Sequence, residues 1–476
     1  MSKRNILNFV FVTVLAAVFG IGCQDKWDEH LGSGSVDNST TIAAKIAADP
    51  SLNKFNQFLK LTGYDTVLAA SKVYTVWAPN DEALKNSGFD TDTTGLGAFV
   101  KNHIAVSSLD QNIGNDTLKI KLLSDKYAAI TIGHFDGIEV VGSPKFVKNG
   151  VLNIIGQPNP IKQNIWEYFM STTDASLQKN YISGFTIMVI DSANAKPIGY
   201  TSGQPKYASD APRIARNGYW STVADLRAEN GKYTFFILRN AAFDSEADKL
   251  KDFYPNLTYW NTVLDLTVKG VYTPDKLPDT LLSIRGVKVP VNKSAIVRTY
   301  NASNGIVYVV DALPFRLKDK IPQIKIEGEL PFSFRSSKAA NTHYRTKLDS
   351  LGVLYKDIEI FKHATAEYYV EYRTPMAAKG KYKVFARAIS GTSGDLVSAA
   401  FTQRYFVADT AATTTYPTAA TFTHIVNPRT YKEIELGTFE NLTYRSLRLR
   451  LVSANSTAEA VNPLILDYIR FEPILP

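Results

Sequence analysis

Two sequence motifs occur twice in this chain, in the same order and at nearly the same spacing. The first reads TVWAPNDEAL from Thr75 and TFFILRNAAF from Thr234, each a strand-like run followed by a turn. The second reads NGVLNIIG from Asn149 and NGIVYVVD from Asn304, each an Asn-Gly turn that leads into an apolar strand. Because two different motifs return at nearly one spacing, the sequence predicts a duplicated domain.

Helices are predicted before the strands in each copy. The segment DPSLNKFNQFLKLTG has Asp49 as its cap, Pro50 in its first turn and Gly63 at its end. Its apolar residues fall on one face of a helix. In the second copy the sequence predicts a shorter helical segment around residues 219–226.

The first motif contains two carboxylates beside a tryptophan, which raises the question of a functional role. Asp81 and Glu82 follow the turn after Trp77. They could belong to a catalytic site, line the edge of a sugar-binding site or simply cap a helix. The second copy keeps a capping residue, Asn240, but lacks the proline and both acids. We therefore interpret Asp81 as the N-cap of a helix that begins there, and Trp77 as a core residue.

The run YTVWAPNDEAL, followed by FVKNHIA (Phe99 to Ala105) and closed by the Asn-Gly strand, resembles the fasciclin domain. The first copy, about residues 38–192, matches all three motifs, and the second, about residues 205–315, is a degenerate match. The resemblance implies two compact α/β (α+β) domains, each built on a β-wedge with helices around it. It also implies a role in adhesion rather than catalysis.

In the fasciclin family, the segment that corresponds to Asn102 and His103 has been linked to adhesion, so the resemblance makes these two residues adhesion candidates. The second copy reads DLTVKG from Asp265 and lacks the histidine. His103 follows a predicted helix among apolar residues, a setting in which a histidine is usually half-buried and hydrogen-bonded to the backbone.

Residues 316–476 have many strand signals and few helical ones. In RSLRLRLVSAN, from Arg445, leucines alternate with arginines, which is typical of a strand with one buried face. The pattern predicts an antiparallel β-sandwich, or jelly roll. The closing LILDYIRFEP and the central GKYKVFARA resemble strands of carbohydrate-binding modules of the galactose-binding-like type.

That second resemblance implies candidate ligand sites. In such modules a Glu on the first strand and an Asp on the last hold a structural calcium ion, and the matching residues here are Glu327 and Asp467. The domain has no tryptophan, so sugar stacking would use a residue such as Tyr344 or Tyr416. No other cofactor is expected.

Two arginines of the alternating strand, Arg448 and Arg450, have two interpretations. They could bind an anionic glycan, or they could form a solvated strand face.

The N-terminus has the features of a targeting signal. Lys3 and Arg4 precede an apolar run that ends at Cys23, the single cysteine of the chain. The stretch resembles a bacterial lipoprotein signal, which implies a signal peptide at 1–22 and a lipidated tether at 23–37. The acidic residues after Cys23 resemble the surface-export signal of lipoproteins of the Bacteroides group. They imply a lipid anchor in the outer membrane, with the protein facing the cell exterior.

Composition and motifs restrict the remaining function classes. The formal net charge of +8 is small for 476 residues. The sequence contains no run of basic residues, so no nucleic-acid partner is implied. No nucleophile elbow, zincin motif, P-loop or dinucleotide fingerprint is present in the sequence. We expect a non-enzymatic adhesion or binding protein whose ligand is a glycan, within polysaccharide-capture machinery. A structural protein that contacts a surface protein or matrix is the alternative, and a glycan-processing enzyme is the least favoured.

Overall fold

The computed structural model describes residues 37, 39–89, 92–109, 117–408 and 419–476. The predicted signal peptide and Cys23 lie outside them. The chain divides into two compact units. The first comprises the described residues up to Trp166 with two short later segments, 227–231 and 301–304, and the second comprises 167–226, 232–300 and 305–476.

The first unit is built on a parallel pair of buried strands. Strand β1 pairs in parallel with β8, from Tyr74 opposite Gly150 to Pro79 opposite Ile155, and the sheet order is β2-β1-β8-β7. A second sheet has the order β3-β4-β5-β6. The helices are α1 (Ile42–Ala47), α2 (Asn53–Thr62), α3 (Tyr64–Ala69) and α4 (Leu96–Lys101). The strands are β1 (Tyr74–Pro79), β2 (Ile104–Ala105), β3 (Leu118–Lys121), β4 (Tyr127–Thr131), β5 (His134–Phe135), β6 (Ile138–Glu139), β7 (Lys145–Val147) and β8 (Gly150–Ile155).

Strand β1 is buried on both faces, as expected for a central parallel strand. Tyr74 and Val76 pack into the cluster formed with the helices, whereas Trp77 packs into the cluster formed with the second sheet. The Trp77 ring stacks on Phe135 with 4.5 Å between centroids. The prediction that Trp77 is a core residue is therefore confirmed.

The prediction that Asp81 caps a helix that begins at Asp81 is wrong, because Asp81 caps a different helix. Residues 81–86 form turns, and no helix starts among them. Asp81 Oδ1 instead accepts a hydrogen bond from the Lys54 backbone N–H at 2.8 Å, near the start of α2. The residue before α2, Leu52, has no side-chain acceptor of its own. Asp81 therefore caps a helix that precedes it in the chain.

The second copy repeats this topology. The helices are α5 (Ile165–Ser171), α6 (Ser176–Ser183), α7 (Gly218–Thr222), α8 (Asn240–Leu250) and α9 (Thr258–Val263). The strands are β9 (Thr186–Ile190), β10 (Pro197–Thr201), β11 (Gln204–Tyr207), β12 (Arg213–Asn217), β13 (Tyr233–Leu238), β14 (Thr267–Lys269), β15 (Thr280–Leu282), β16 (Lys288–Pro290), β17 (Ile296–Ala302) and β18 (Gly305–Val310). Strand β13 pairs in parallel with β18 in a sheet of order β14-β13-β18-β17, which matches β2-β1-β8-β7.

The helical part of the second copy is longer than the sequence analysis predicted. Helix α7 lies where a helix was expected, but α5 and α6 come before it. The predicted boundary of the first domain at residue 192 also differs from the division of the chain, because residues 167–226 group with the second unit.

Equivalent polar residues make equivalent hydrogen bonds in the two copies. Asn240 Oδ1 accepts from the Leu177 N–H in α6 at 3.0 Å, as Asp81 does from Lys54 in α2. Asn149 Oδ1 accepts from the first N–H of α1 at 2.8 Å, and Asn304 Oδ1 accepts from the first N–H of α5 at 2.9 Å. These shared contacts support the duplication independently of the strand order.

The rest of the second unit is an antiparallel β-sandwich. Its sheets have the orders β19-β30-β24-β27, β20-β23-β28-β25-β26 and β21-β22-β29. A short helix, α10 (Leu317–Lys320), precedes it. The strands are β19 (Ile324–Glu327), β20 (Ser333–Phe334), β21 (Thr342–Leu348), β22 (Leu354–Ile360), β23 (Tyr369–Ala377), β24 (Gly380–Arg387), β25 (Phe401–Ala408), β26 (Ala420–Val426), β27 (Ile434–Asn441), β28 (Arg445–Val452), β29 (Leu464–Leu466) and β30 (Tyr468–Pro473).

One hydrophobic core joins these sheets. It contains Leu447, Leu449 and Leu451 of β28, which are fully buried, together with Val384 of β24 and Ile358 of β22. The prediction that the leucine face of β28 is buried is therefore confirmed. The predicted fold class, two α/β wedge domains followed by an antiparallel sandwich, describes the chain.

Candidate functional site

The predicted adhesion residues Asn102 and His103 are buried in the first unit. His103 Nδ1 lies 2.8 Å from the Phe99 carbonyl oxygen, and its Nε2 accepts a hydrogen bond from the Asn159 N–H at 3.0 Å. These two contacts require the neutral tautomer with the proton on Nδ1. Burial lowers the pKa of His103 to about 4, although the bond to the Phe99 carbonyl opposes the shift.

Asn102 is equally enclosed. Its Oδ1 accepts from the Ser124 hydroxyl at 2.8 Å, and its Nδ2 donates to the Asn159 carbonyl at 3.2 Å. Asn102 and His103 thus both hold the segment around Asn159 against the end of α4. Their side chains are 3% and 0% exposed, so an adhesion role for them, which stays a prediction, would need an opening of this region.

The calcium candidates of the sandwich lie on adjacent backbone segments, and each carboxylate is paired with a basic side chain. Glu327 faces Tyr468, the neighbour of Asp467, across the β19–β30 ladder. Asp467 Oδ2 lies 2.9 Å from Arg387 Nη1, and Glu327 lies 2.9 Å from Lys325. Burial raises the pKa of Asp467 to about 6, with Arg387 acting in the opposite direction.

These contacts do not fit a calcium site well. Calcium binds roughly six to eight oxygen ligands. The carboxylates of Glu327 and Asp467 are instead each paired with a positively charged side chain. No group of three or more His, Cys, Asp or Glu side chains suited to a metal ion occurs in the described ranges. Calcium binding by Glu327 and Asp467 remains a prediction from the resemblance.

The two arginines considered for an anionic glycan are held by a buried acid. Arg448 and Arg450 both contact Glu371, whose side chain is 2% exposed, at 2.6 Å and 3.0 Å. The Arg450 guanidinium also lies over the Tyr369 ring. This shared partner could not be predicted from the spacing of the arginines, because Glu371 is on the neighbouring strand, β23.

The structure describes only one of the two tyrosines considered for sugar stacking. Tyr344 is 58% exposed on β21 and is accessible to a ligand. Tyr416 lies outside the described residues, as does the predicted lipidation site Cys23.

An open pocket of about 610 Å³ lies among three helices of the second copy. One wall consists of Tyr181 from α6 and Tyr259 from α9, whose rings meet edge to face at 5.5 Å. Tyr259 is 46% exposed, so part of an aromatic ring faces the pocket and the solvent. The sequence analysis did not single out these tyrosines, because a Tyr in a helix of a degenerate repeat has no motif to mark it.

The opposite side of the pocket is polar. Asp244 and Asp248 are exposed on one face of α8, and Lys251 pairs with Asp248 at 3.2 Å. Asn256 adopts a left-handed backbone conformation, with φ of 66°, at the rim. Within the described residues, the side chains of Asp244 and Asn256 make no hydrogen bond or ion pair, so they are available to a ligand.

This combination of groups has a clear chemical meaning. A partly exposed aromatic ring offers a flat apolar face, while neighbouring carboxylate and amide groups accept and donate hydrogen bonds in several directions. A sugar ring presents the matching surfaces, with apolar C–H groups on its faces and hydroxyl groups around its edge.

No helix in the described part of the chain is long and apolar enough to cross a membrane.

Comparisons with known proteins give structural neighbours only. No family model matches the chain, and no curated protein matches it. The FAS1 domain pair of the insect cell adhesion molecule fasciclin I is 15% identical, covers 57% of this chain and 99% of its own, and has a TM-score of 0.23.

Carbohydrate-binding modules also occur among the neighbours. The CBM36-1 domain of a xylanase from the hindgut metagenome of Trinervitermes trinervoides is 11% identical, covers 32% of this chain and 98% of its own, and has a TM-score of 0.22. A family 35 module from Clostridium thermocellum is 14% identical, with 32% and 99% coverage and a TM-score of 0.22. The architecture described above follows from the strand order and burial of this chain itself.

Proposed function

We propose that this chain is a non-catalytic binding protein of the cell surface, anchored through a lipid on Cys23, and that its ligand is a glycan. The Tyr181–Tyr259 pocket carries the proposal, because it combines an exposed aromatic ring with carboxylate and amide groups that are free to bind. The outer-membrane location comes from the resemblance of the N-terminal segment to lipoprotein signals. The link to polysaccharide capture comes from the resemblance to Bacteroides-group surface lipoproteins together with the carbohydrate-binding-module-like strands of the sandwich.

The glycan part is tested by calorimetric titration of the full chain with a panel of neutral and acidic polysaccharides. Tyr259→Ala should abolish measurable binding of the polysaccharide that the wild type binds, because the aromatic face is removed. Tyr344→Ala tests the competing site, since Tyr344 is the exposed stacking candidate of the sandwich. Loss of binding in Tyr344→Ala alone would move the site to the sandwich, and no response from any polysaccharide would refute glycan binding.

A second part of the test uses the polar side of the pocket. Asp244→Ala should weaken binding roughly tenfold or more, as expected when one charged hydrogen-bonding group is removed. The anchor is tested separately: Cys23→Ala should release the protein from the membrane fraction, and retention would contradict lipidation at this residue.

The alternative function is contact with another surface protein. It would be favoured if a stoichiometric protein partner co-purifies from outer membranes while no polysaccharide binds.

A further inference from the structure

Residues 186–217, here called the β-arm, form an insertion that the first copy lacks. In the first copy, α2 and α3 are separated by Gly63 alone. In the second copy the corresponding helices, α6 and α7, are separated by the whole β-arm. Since the first copy forms the same parallel sheet without it, the β-arm is not needed for the fold.

The β-arm is one nested, two-stranded structure. Strand β9 pairs with β12, and β10 pairs with β11, which are joined by a turn at Ser202 and Gly203 with positive φ angles of 50° and 77°. Asn217 anchors its base, because the Asn217 amide donates to the Ile182 carbonyl and to the Thr186 hydroxyl. Within the described residues, neither ladder has a third strand.

Large apolar side chains along the β-arm face solvent. The most exposed are Ile187 at 61%, Met188 at 54%, Ile198 at 65% and Tyr200 at 72%. A two-stranded structure with apolar residues exposed is marginally stable in water, and such surfaces mark contacts with a protein or a membrane.

The charge of the β-arm favours an anionic partner. Its basic residues outnumber its acidic ones by four to two: Lys196, Lys206, Arg213 and Arg216 against Asp191 and Asp210. Arg216 lies directly across the ladder from Ile187, and Arg213 lies across from Ile190, so each arginine is next to an apolar side chain. Self-association through this surface would bring like charges together.

We infer that the β-arm docks on an anionic lipid surface, with Ile198 and Tyr200 entering the interface and the arginines contacting the headgroups. Both side chains can bury apolar surface in the lipid. The tyrosine hydroxyl can stay at the polar boundary of the membrane. Each Lys or Arg near an anionic membrane strengthens binding by about fivefold. The inference goes beyond the proposed glycan binding and does not depend on it.

The test uses the full chain with Cys23→Ala, so that no lipid anchor contributes, and flotation with vesicles of phosphatidylglycerol and phosphatidylcholine. The chain with an unchanged β-arm should bind these vesicles. Its binding to vesicles of pure phosphatidylcholine should be weaker by about tenfold or more. Ile198→Ser with Tyr200→Ser should reduce binding to mixed vesicles by about tenfold or more. Leu351→Ser is the matched control, because Leu351 is 86% exposed in a turn of the sandwich.

A second pair of variants separates charge from burial. Arg213→Gln with Arg216→Gln should reduce binding to anionic vesicles, whereas Lys356→Gln with Lys432→Gln, which makes the same change of charge on exposed residues of the sandwich, should not. Equal binding by the serine variant and the wild type would overturn the inference. So would absence of vesicle binding, or self-association in sedimentation that the serine variant abolishes. Because the vesicles contain no sugar, these results are independent of the glycan titrations.

Discussion

The side chain of Asn149 ties the helices of the first unit to its central sheet. Its Oδ1 accepts from the Ile42 N–H at 2.8 Å, and its Nδ2 donates to the carbonyl oxygens of Leu68 at 2.7 Å and Ala70 at 2.9 Å. The side chain is 3% exposed, so water cannot replace these bonds in the folded state. Replacement by Ala removes all three bonds and leaves one N–H and two C=O groups without their partner.

The magnitude follows from the number of bonds. Each contributes about 1 kcal/mol net, and a buried group left without a partner adds to the loss, so Asn149→Ala should lower the free energy of unfolding by about 3 to 5 kcal/mol. Asn149→Asp should cost at least as much, because it keeps the acceptor but places a negative charge beside two carbonyl oxygens. Asn86→Ala, at an exposed position of the same unit, should change stability by about 0.5 kcal/mol or less.

Urea unfolding combined with hydrogen exchange read by mass spectrometry measures this effect. Peptides that cover α1 and α3 should lose protection in Asn149→Ala, while peptides of the sandwich should not change. A loss below about 1 kcal/mol, or a loss equal to that of Asn86→Ala, would refute the reasoning.

Three further outcomes are expected. Asp81→Ala should cost about 1 kcal/mol and speed exchange at the start of α2, at Lys54, rather than at residues 81–86. The pKa of His103, about 4 in the folded state against about 6.5 when unfolded, means that the unfolded chain binds more protons between these values. Stability should therefore fall as the pH drops from about 6.5 to 4, by up to roughly 3 kcal/mol, and His103→Leu should remove this part of the pH dependence in acid unfolding curves. Glu371→Ala should lower the free energy of unfolding in urea by about 1.5 to 3 kcal/mol, because Arg448 and Arg450 lose a charged hydrogen-bond partner, and a change under about 0.5 kcal/mol would contradict that role.

The sequence supported a large part of the fold because its signals are local. The Asn-Gly turns at Asn149 and Asn304 and the apolar runs after them predict β8 and β18. Gly63, with φ of 72°, ends α2 where the sequence predicted. Alternation of leucine and arginine predicted which face of β28 is buried.

The candidate sites were less accessible from the sequence. Asn102 and His103 were chosen by resemblance, and the fold buries them with all of their described bonds made inside the protein. The Tyr181–Tyr259 pocket was missed because its walls come from helices well separated in the chain. Nothing in the spacing of these residues indicates that they meet.

The sequence by itself determined the duplication, the apolar strands that follow the Asn-Gly turns and the position of the sandwich, since these depend on periodicity and on turn residues that act on their neighbours. Tertiary structure alone decided which helix Asp81 caps, that Glu371 binds both arginines, and that the β-arm leaves apolar residues in solvent. A carboxylate or amide binds whichever partner the packing brings within hydrogen-bonding distance, and that distance is set by the whole fold.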